Sequence, residues 1–229
     1  MLYFLYFCSK VAMPALDEFD LLVFDLDGTL VDSRYDLADA VNYAMDKLGQ
    51  PKLSYDDLPP LLGSGLHYLL EKTTGTADPD QIEQAKQYFD AYYEQHFTDK
   101  TRLYPGVMET LRALDAKTKA LYSNKMQYFT DRIADALGLR EQMDMVQGAQ
   151  PESFALKPDP EGLYRILRKL DTPAAKALMI GDSTHDLEAG HAAGMKTCAV
   201  TYGYRPADVL EKQSPDYIID RFPDLLSIR

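Results

Sequence analysis

The sequence predicts an α/β fold: a Rossmann-like, mostly parallel sheet core with an inserted all-helical domain after its first strand. Three observations predict it. Short apolar runs near residues 21–24, 119–123, 145–148, 177–180, 196–200 and 217–219 alternate with stretches of helical periodicity, the pattern of βαβ units. Several of these runs end in Asp, Ser or Gly, at the strand ends where open parallel sheets bind their ligands. Residues 33–103, between the first and second runs, carry helical spacing and no strand pattern.

The elements follow in order. Leu21 to Phe24 is apolar at every position, as a strand buried on both faces must be, and it delivers Asp25 and Asp27 into a turn at Gly28 and Thr29. An acidic pair beside free backbone amides suits a hard divalent cation together with an anion, although Asp and Gly are also ordinary turn residues. Leu37, Val41, Met45 and Leu48 then recur at helical spacing until Gly49 ends the helix. The segment Leu61-Leu-Gly-Ser-Gly-Leu66 breaks the helices. From Pro79 to about Phe97, Ile82, Ala85, Phe89, Tyr92 and His96 form a second stripe, read as core packing. Tyr104-Pro105-Gly106 marks the return to the sheet.

The second strand runs into Ser123 and Asn124, a hydroxyl and an amide placed either to cradle phosphate or only to cap the helix that follows. Lys157-Pro158 precedes Asp159-Pro160, read as the N-cap and first turn of another helix, which puts Lys157 in a stiff loop. Ala177 to Ile180 is another buried-strand run, closed by Gly181, with Asp182 and Asp186 one helical turn apart beyond it. Ser183 with Asp186 also reads as a capping box, and the two readings are compatible.

In this order and at these strand ends, the four segments resemble the haloacid dehalogenase superfamily of phosphohydrolases. Asp25-Leu-Asp27-Gly-Thr29 is similar to its first motif, Ser123 to its second, Lys157 to its third, and Gly181-Asp182 with Asp186 to its fourth. The resemblance runs from about Asp20 to the C-terminus, and Asp186 to Gly194 with Thr201-Tyr-Gly-Tyr-Arg205 is most similar to the phosphoglycolate phosphatase branch.

The resemblance implies a Mg²⁺-dependent phosphatase. Asp25 would be the nucleophile that forms an aspartyl-phosphate, and Asp27 the general acid and base. Asp25, Asp182 and the backbone carbonyl of Asp27 would hold Mg²⁺, with Asp186 as ligand or outer partner. Gly28, Ser123, Asn124 and Lys157 would hold the phosphoryl group. It also implies domains: 20–32 and 104–229 as the core and 33–103 as a helical cap over the site, with 1–19 an N-terminal extension. Arg34, Ser64 and His67 are candidates to face the substrate, expected to be a small phosphorylated metabolite such as phosphoglycolate. A short connection from Leu114 to Ala120, without the family's glycine turn, departs from the pattern just before Ser123.

Other readings compete. A sugar-phosphate mutase shares every core motif; a haloacid dehalogenase proper needs neither Asp27 nor a metal; a phosphonate hydrolase needs a cap lysine that the 63–66 loop lacks; a catalytically silent binding protein would have no use for the full acidic set.

Composition sets outer limits. With 229 residues and 46% apolar content the chain builds a substantial core, and a net charge of −12 argues against nucleic acid as partner. Cys8 and Cys198 make no disulfide framework, which fits a reducing cytoplasm. Met1 to Cys8 is apolar and aromatic but lacks the basic start and cleavage pattern of an export signal and is too short to span a bilayer. It is expected either to precede a true start at Met13 or to pack on the surface. A monomer or homodimer is expected.

Overall fold

The computed structural model describes residues 15–228. Six parallel strands form one sheet in the order β5-β4-β1-β6-β7-β8: β1 Leu21–Phe24, β4 Thr118–Met126, β5 Met145–Ala149, β6 Ala177–Gly181, β7 Lys196–Val200 and β8 Tyr217–Ile219. A mostly parallel sheet flanked by helices is therefore what the chain builds.

Alternation along the strands explains the two covered faces. Leu22 and Phe24 join Leu121, Leu178 and Ile180 in one apolar cluster, while Leu21 and Val23 join Ala120, Tyr122 and Met179 in the cluster on the opposite face. Every side chain of β1 is fully buried, so the run is apolar throughout and shows no period of two. Each such aliphatic side chain contributes about 1.5–3 kcal/mol by leaving water.

Helices α1 Arg34–Lys47, α2 Leu66–Thr74 and α3 Pro79–His96 form a separate layer beside the carboxyl ends of the strands, with their own cluster of Leu37, Val41, Met45, Leu70, Ile82 and Phe89. On α3, Ile82, Ala85 and Phe89 are buried as expected, but the next fully buried position is Tyr93, while the half-buried Tyr92 and His96 stack on each other with ring centroids 4.3 Å apart. Residues 33–103 are also not wholly helical. Strands β2 Val31–Asp32 and β3 Arg102–Leu103 pair antiparallel where the chain leaves the sheet and returns to it. Asp36, fully buried, ties the same junction by accepting from the backbone N–H groups of Lys100 and Thr101 at 3.0 and 2.8 Å.

The remaining helices, α4 Val107–Ala113, α5 Gln127–Ala136, α6 Glu161–Lys169, α7 Thr184–Ala192 and α8 Ala207–Glu211, connect the strands. Two local expectations are corrected. β4 continues to Met126 with a register shift after Tyr122, so Ser123 and Asn124 lie within an irregular strand end and not at the start of α5. The first helical residue after Lys157 is Glu161, because Pro160 takes the N-cap position while the Asp159 carboxylate accepts from the Glu161 N–H at 2.8 Å. The short connection before β4 leaves its pairing with β1 in register from Thr118 to Leu121.

Cys198 is a buried free thiol, pushed up to about 12 by burial, which leaves it an unreactive core residue. Cys8 and Met13, with the rest of the N-terminal segment through residue 14, lie outside the described residues. Among the described residues, no helix is long and apolar enough to cross a membrane.

Candidate active site

Strand register assembles the site. Phe24 pairs with Leu121 on one side and Ile180 on the other, so Asp25 and Asp182, just past their strands, and Ser123, in the irregular end of β4, emerge together at one edge of the sheet. They line a cleft between the strand ends and the helical layer, together with Asp27, Asn124, Lys157 and Ser183. Leu37, Leu62, Leu66, Leu69, Phe89 and Phe129 supply apolar walls.

Lys157 is the hub of the floor. Its buried ammonium lies 2.7 Å from Asp25 Oδ1 and 2.6 Å from Asp186 Oδ1, and donates to the Tyr122 carbonyl at 3.1 Å. The ion pairs hold its pKa above the ordinary lysine range despite complete burial. Its backbone is clamped in turn by Asn124, whose Oδ1 accepts from the Lys157 N–H at 2.8 Å and whose Nδ2 donates to the Lys157 carbonyl at 3.0 Å. The other Nδ2 donor goes to the Gly63 carbonyl of the helical layer at 2.8 Å. Both amide donors of Asn124 are thus engaged, so the side chain positions Lys157 instead of reaching a phosphoryl oxygen. Ser123 Oγ accepts from the Lys125 N–H at 3.2 Å, which leaves its own proton free to donate.

Asp25, Asp182 and Asp186 form a buried acidic cluster with oxygens within 4.8 Å of one another. Burial is the main cause that raises Asp25 well above the usual carboxylate range, opposed by Lys157 and reinforced by the two neighbouring acids. Asp182 is pushed up to about 7 by burial and by Asp186, against the Tyr204 N–H that it accepts at 2.6 Å. Three buried carboxylates facing one ammonium is an incomplete charge set. An all-oxygen donor group with excess negative charge fits a hard divalent cation. Asp186 stands behind the other two. One oxygen holds Lys157 and the other accepts from the Ser183 N–H and Oγ at 3.0 and 2.7 Å, so the capping box and the acidic site coexist.

Asp27 faces another way. Its Oδ1 accepts from Ser33 Oγ at 2.5 Å and its Oδ2 lies 3.2 Å from Lys125 Nζ, so its side chain is not part of the acidic cluster. Gly28 sits at φ +92°, and a side chain there would overlap the Asp182 carboxylate, so this turn requires glycine.

The proposed substrate-facing residues are dispersed. Arg34 is paired with Asp32 at 2.8 Å, lies over the Tyr204 ring and does not line the cleft. His67 is exposed on α2, outside the lining. Ser64 contacts His185 Nε2 at 3.3 Å, while its glycine neighbours Gly63 and Gly65 do line the cleft. The cleft instead presents Lys125, Tyr93, Tyr204 and Arg205. Sequence reasoning passed over the site roles of these four. The available signals were the position of Lys125 directly after Ser123-Asn124 and the end of the Thr201-Tyr-Gly-Tyr-Arg205 run.

Comparison with known proteins agrees with this arrangement. The family model described as haloacid dehalogenase-like hydrolase matches residues 22–200. The phosphoglycolate phosphatase of Haemophilus influenzae is 34% identical over 221 residues, covering 92% of this chain and 98% of that protein. The phosphoglycolate phosphatase of Aliivibrio fischeri is 33% identical over 222 residues, covering 93% and 97%. Among solved structures, a predicted phosphoglycolate phosphatase from Haemophilus somnus 129PT superposes with a TM-score of 0.85 at 31% identity, covering 91% of this chain and 97% of that one.

Proposed function

Since the chain belongs to the haloacid dehalogenase-like hydrolases, we propose that it is a Mg²⁺-dependent phosphatase of a small acidic phosphomonoester, with phosphoglycolate the leading substrate. The observation that carries the reading is the placement of Asp25 on the cleft floor, 2.7 Å from Lys157 and within the acidic cluster. Relatives named phosphoglycolate phosphatase, aligned over nearly their whole length, support the choice of substrate.

In this reading a carboxylate oxygen of Asp25 attacks phosphorus and forms an aspartyl-phosphate. Lys157 neutralises the charge on the transferred group, with Ser123 Oγ and the backbone N–H of Gly28 as further donors. Asp27 gives a proton to the leaving alkoxide and later takes one from the water that cleaves the acyl-phosphate. Asp25, Asp182 and the Asp27 carbonyl would hold Mg²⁺, which supplies further charge stabilisation for the phosphoryl oxygens. Asp186 keeps Lys157 in place. The helical layer, residues 33–103, serves as the cap that closes the cleft and limits water.

Phosphate release from phosphoglycolate, p-nitrophenyl phosphate and glucose 1-phosphate tests the reading. Activity should vanish in EDTA, return with Mg²⁺, and be abolished by Asp25→Asn. Turnover that survives both the chelator and Asp25→Asn would end the proposal, and isomerisation of glucose 1-phosphate without free phosphate would make the chain a mutase.

A further inference from the structure

Among the described residues, three cations line the cleft: Lys157, Arg205 and Lys125. Two have their donors engaged by the protein. Lys157 is saturated by Asp25, Asp186 and the Tyr122 carbonyl. Arg205 directs Nη1 to the Pro59 carbonyl at 2.8 Å and Nη2 to the Leu62 carbonyl at 2.6 Å, which pins its guanidinium to the helical layer.

Lys125 is different. Its side chain is 8% exposed, and among the described residues its ammonium contacts only Asp27 Oδ2 at 3.2 Å and the Tyr93 hydroxyl at 3.0 Å. An ammonium has three donors, so one is left on a residue that lines the cleft. The cleft that it lines has apolar walls that include Leu37, Leu69, Phe89 and Phe129. A buried cation in such surroundings favours an anionic partner.

The position of Asp27 locates that partner. If Asp27 delivers the proton to the leaving oxygen, that oxygen comes within hydrogen-bond reach of its carboxyl group. In phosphoglycolate a single methylene separates the leaving oxygen from the carboxylate carbon. The carboxylate must then fall within a few ångströms of Asp27, on the scale of its 3.2 Å separation from Lys125.

We infer that Lys125, steadied by the Tyr93 hydroxyl, receives the carboxylate of the substrate's leaving group and so selects acidic phosphomonoesters over neutral ones. The inference rests on the phosphatase reading and adds to it the residue that sets the substrate class. It moves that role from Arg34 and His67, both outside the cleft lining, to a side chain shared between the strand end and α3.

The test compares phosphoglycolate with ethyl phosphate, which keeps the ester and lacks the carboxylate, in wild type, Lys125→Met and Lys125→Arg with Mg²⁺ present. Wild type should prefer phosphoglycolate in kcat/KM. Lys125→Met should lower that preference on the order of 100-fold, mainly through KM for phosphoglycolate, as expected for removal of a buried charged partner. Lys125→Arg should restore part of it. Lys125→Gln, which keeps a polar head beside Asp27, is the second variant should Lys125→Met not fold. An equal loss on both esters would mean that Lys125 serves only Asp27, and would overturn the inference. So would a wild type that treats both esters alike, with the phosphatase reading intact. Release of phosphate from neither ester by wild type would instead remove the phosphatase reading, and the inference with it.

Discussion

Asp186 holds Lys157 while capping its own helix: one carboxylate oxygen accepts the ammonium at 2.6 Å and the other closes the box on Ser183. The side chain that reads from sequence as both acidic-site member and helix cap is a bracket that aims the lysine at Asp25. The two roles separate by substitution. Asp186→Ala removes the reciprocal half of the capping box and the lysine's partner together, and should destabilise the fold. Asp186→Asn keeps an acceptor for Ser183 and relieves repulsion against Asp25, so it should melt closer to wild type. Both should lose activity, because Lys157 loses its anchor. Thermal melts of the metal-free proteins give the order, and an Asn variant less stable than the Ala variant would refute the bracket.

The acidic cluster predicts a link between pH, stability and metal. In the folded chain Asp182 is pushed up to about 7, well above the ordinary carboxylate value near 3.9 that the unfolded chain restores. The folded state therefore binds the proton that the unfolded state releases across this window. From this group, stability of the metal-free protein is greatest at the acid end and declines as pH rises through about 7. Binding of Mg²⁺ must expel that proton, so the gain in melting temperature at fixed Mg²⁺ should be larger at pH 8 than at pH 6. An equal gain at both would mean that Asp182 is already ionised without metal.

Gly203 packs against the same carboxylate from the opposite loop. A Cβ at this position would overlap the Asp182 side chain and stand 2.6 Å from the Gly28 carbonyl. Neither neighbour moves freely, since one belongs to the acidic cluster and the other to the turn after Asp27. Gly203→Ala should therefore cost activity far more than it costs the fold, with weaker Mg²⁺ binding by calorimetry. Wild-type affinity and turnover in this variant would show that the loop yields instead of the site.

Legibility from sequence follows the range of the interaction. Asp25, Asp182 and the Ser183–Asp186 box are readable because a strand run and a helix start are local patterns, and the register of β1 with β4 and β6 brings them together. The β2–β3 ribbon has two residues per strand, too few to display a period. The partner of Arg34 is two residues away, yet no helical or strand spacing announces the Arg34–Asp32 pair. Lys125 and Tyr93 lie 32 residues apart and meet only once α3 has packed over the strand ends, so no motif could have joined them. The one-residue error in the α3 stripe had the same origin. Tyr92 and Tyr93 are alike in type, and only the tertiary packing that buries Tyr93 against Phe129 distinguishes them.

Arg205 shows how the loop after β7 reaches both halves of the cleft. Its guanidinium donates to the carbonyls of Pro59 and Leu62 at the turn leading into Gly63, while the preceding residue, Tyr204, donates its N–H to Asp182 at 2.6 Å. The charged fork satisfies the Leu62 carbonyl at the end of a short helical turn and adds a second donor to the Pro59 carbonyl, which also accepts the Leu62 N–H. Arg205→Ala removes the charged donor from both carbonyls, whereas Arg205→Lys, a point charge without a fork, can hold only one well. The turn at 58–62 should then open more often without the sheet unfolding, because few other contacts join it to the strand ends: Asn124 to Gly63 is one, and Ser64 to His185 another. Hydrogen exchange of the Leu62 amide, bonded to the Pro59 carbonyl at 3.2 Å, reports that opening directly. It should accelerate roughly tenfold or more in Arg205→Ala, by the scale of one or two lost charged hydrogen bonds, and less in Arg205→Lys. The melting temperature should change little. If the Leu62 amide exchanges at the wild-type rate in Arg205→Ala, the guanidinium is not what holds the helical layer to the loop, and the two remaining contacts suffice.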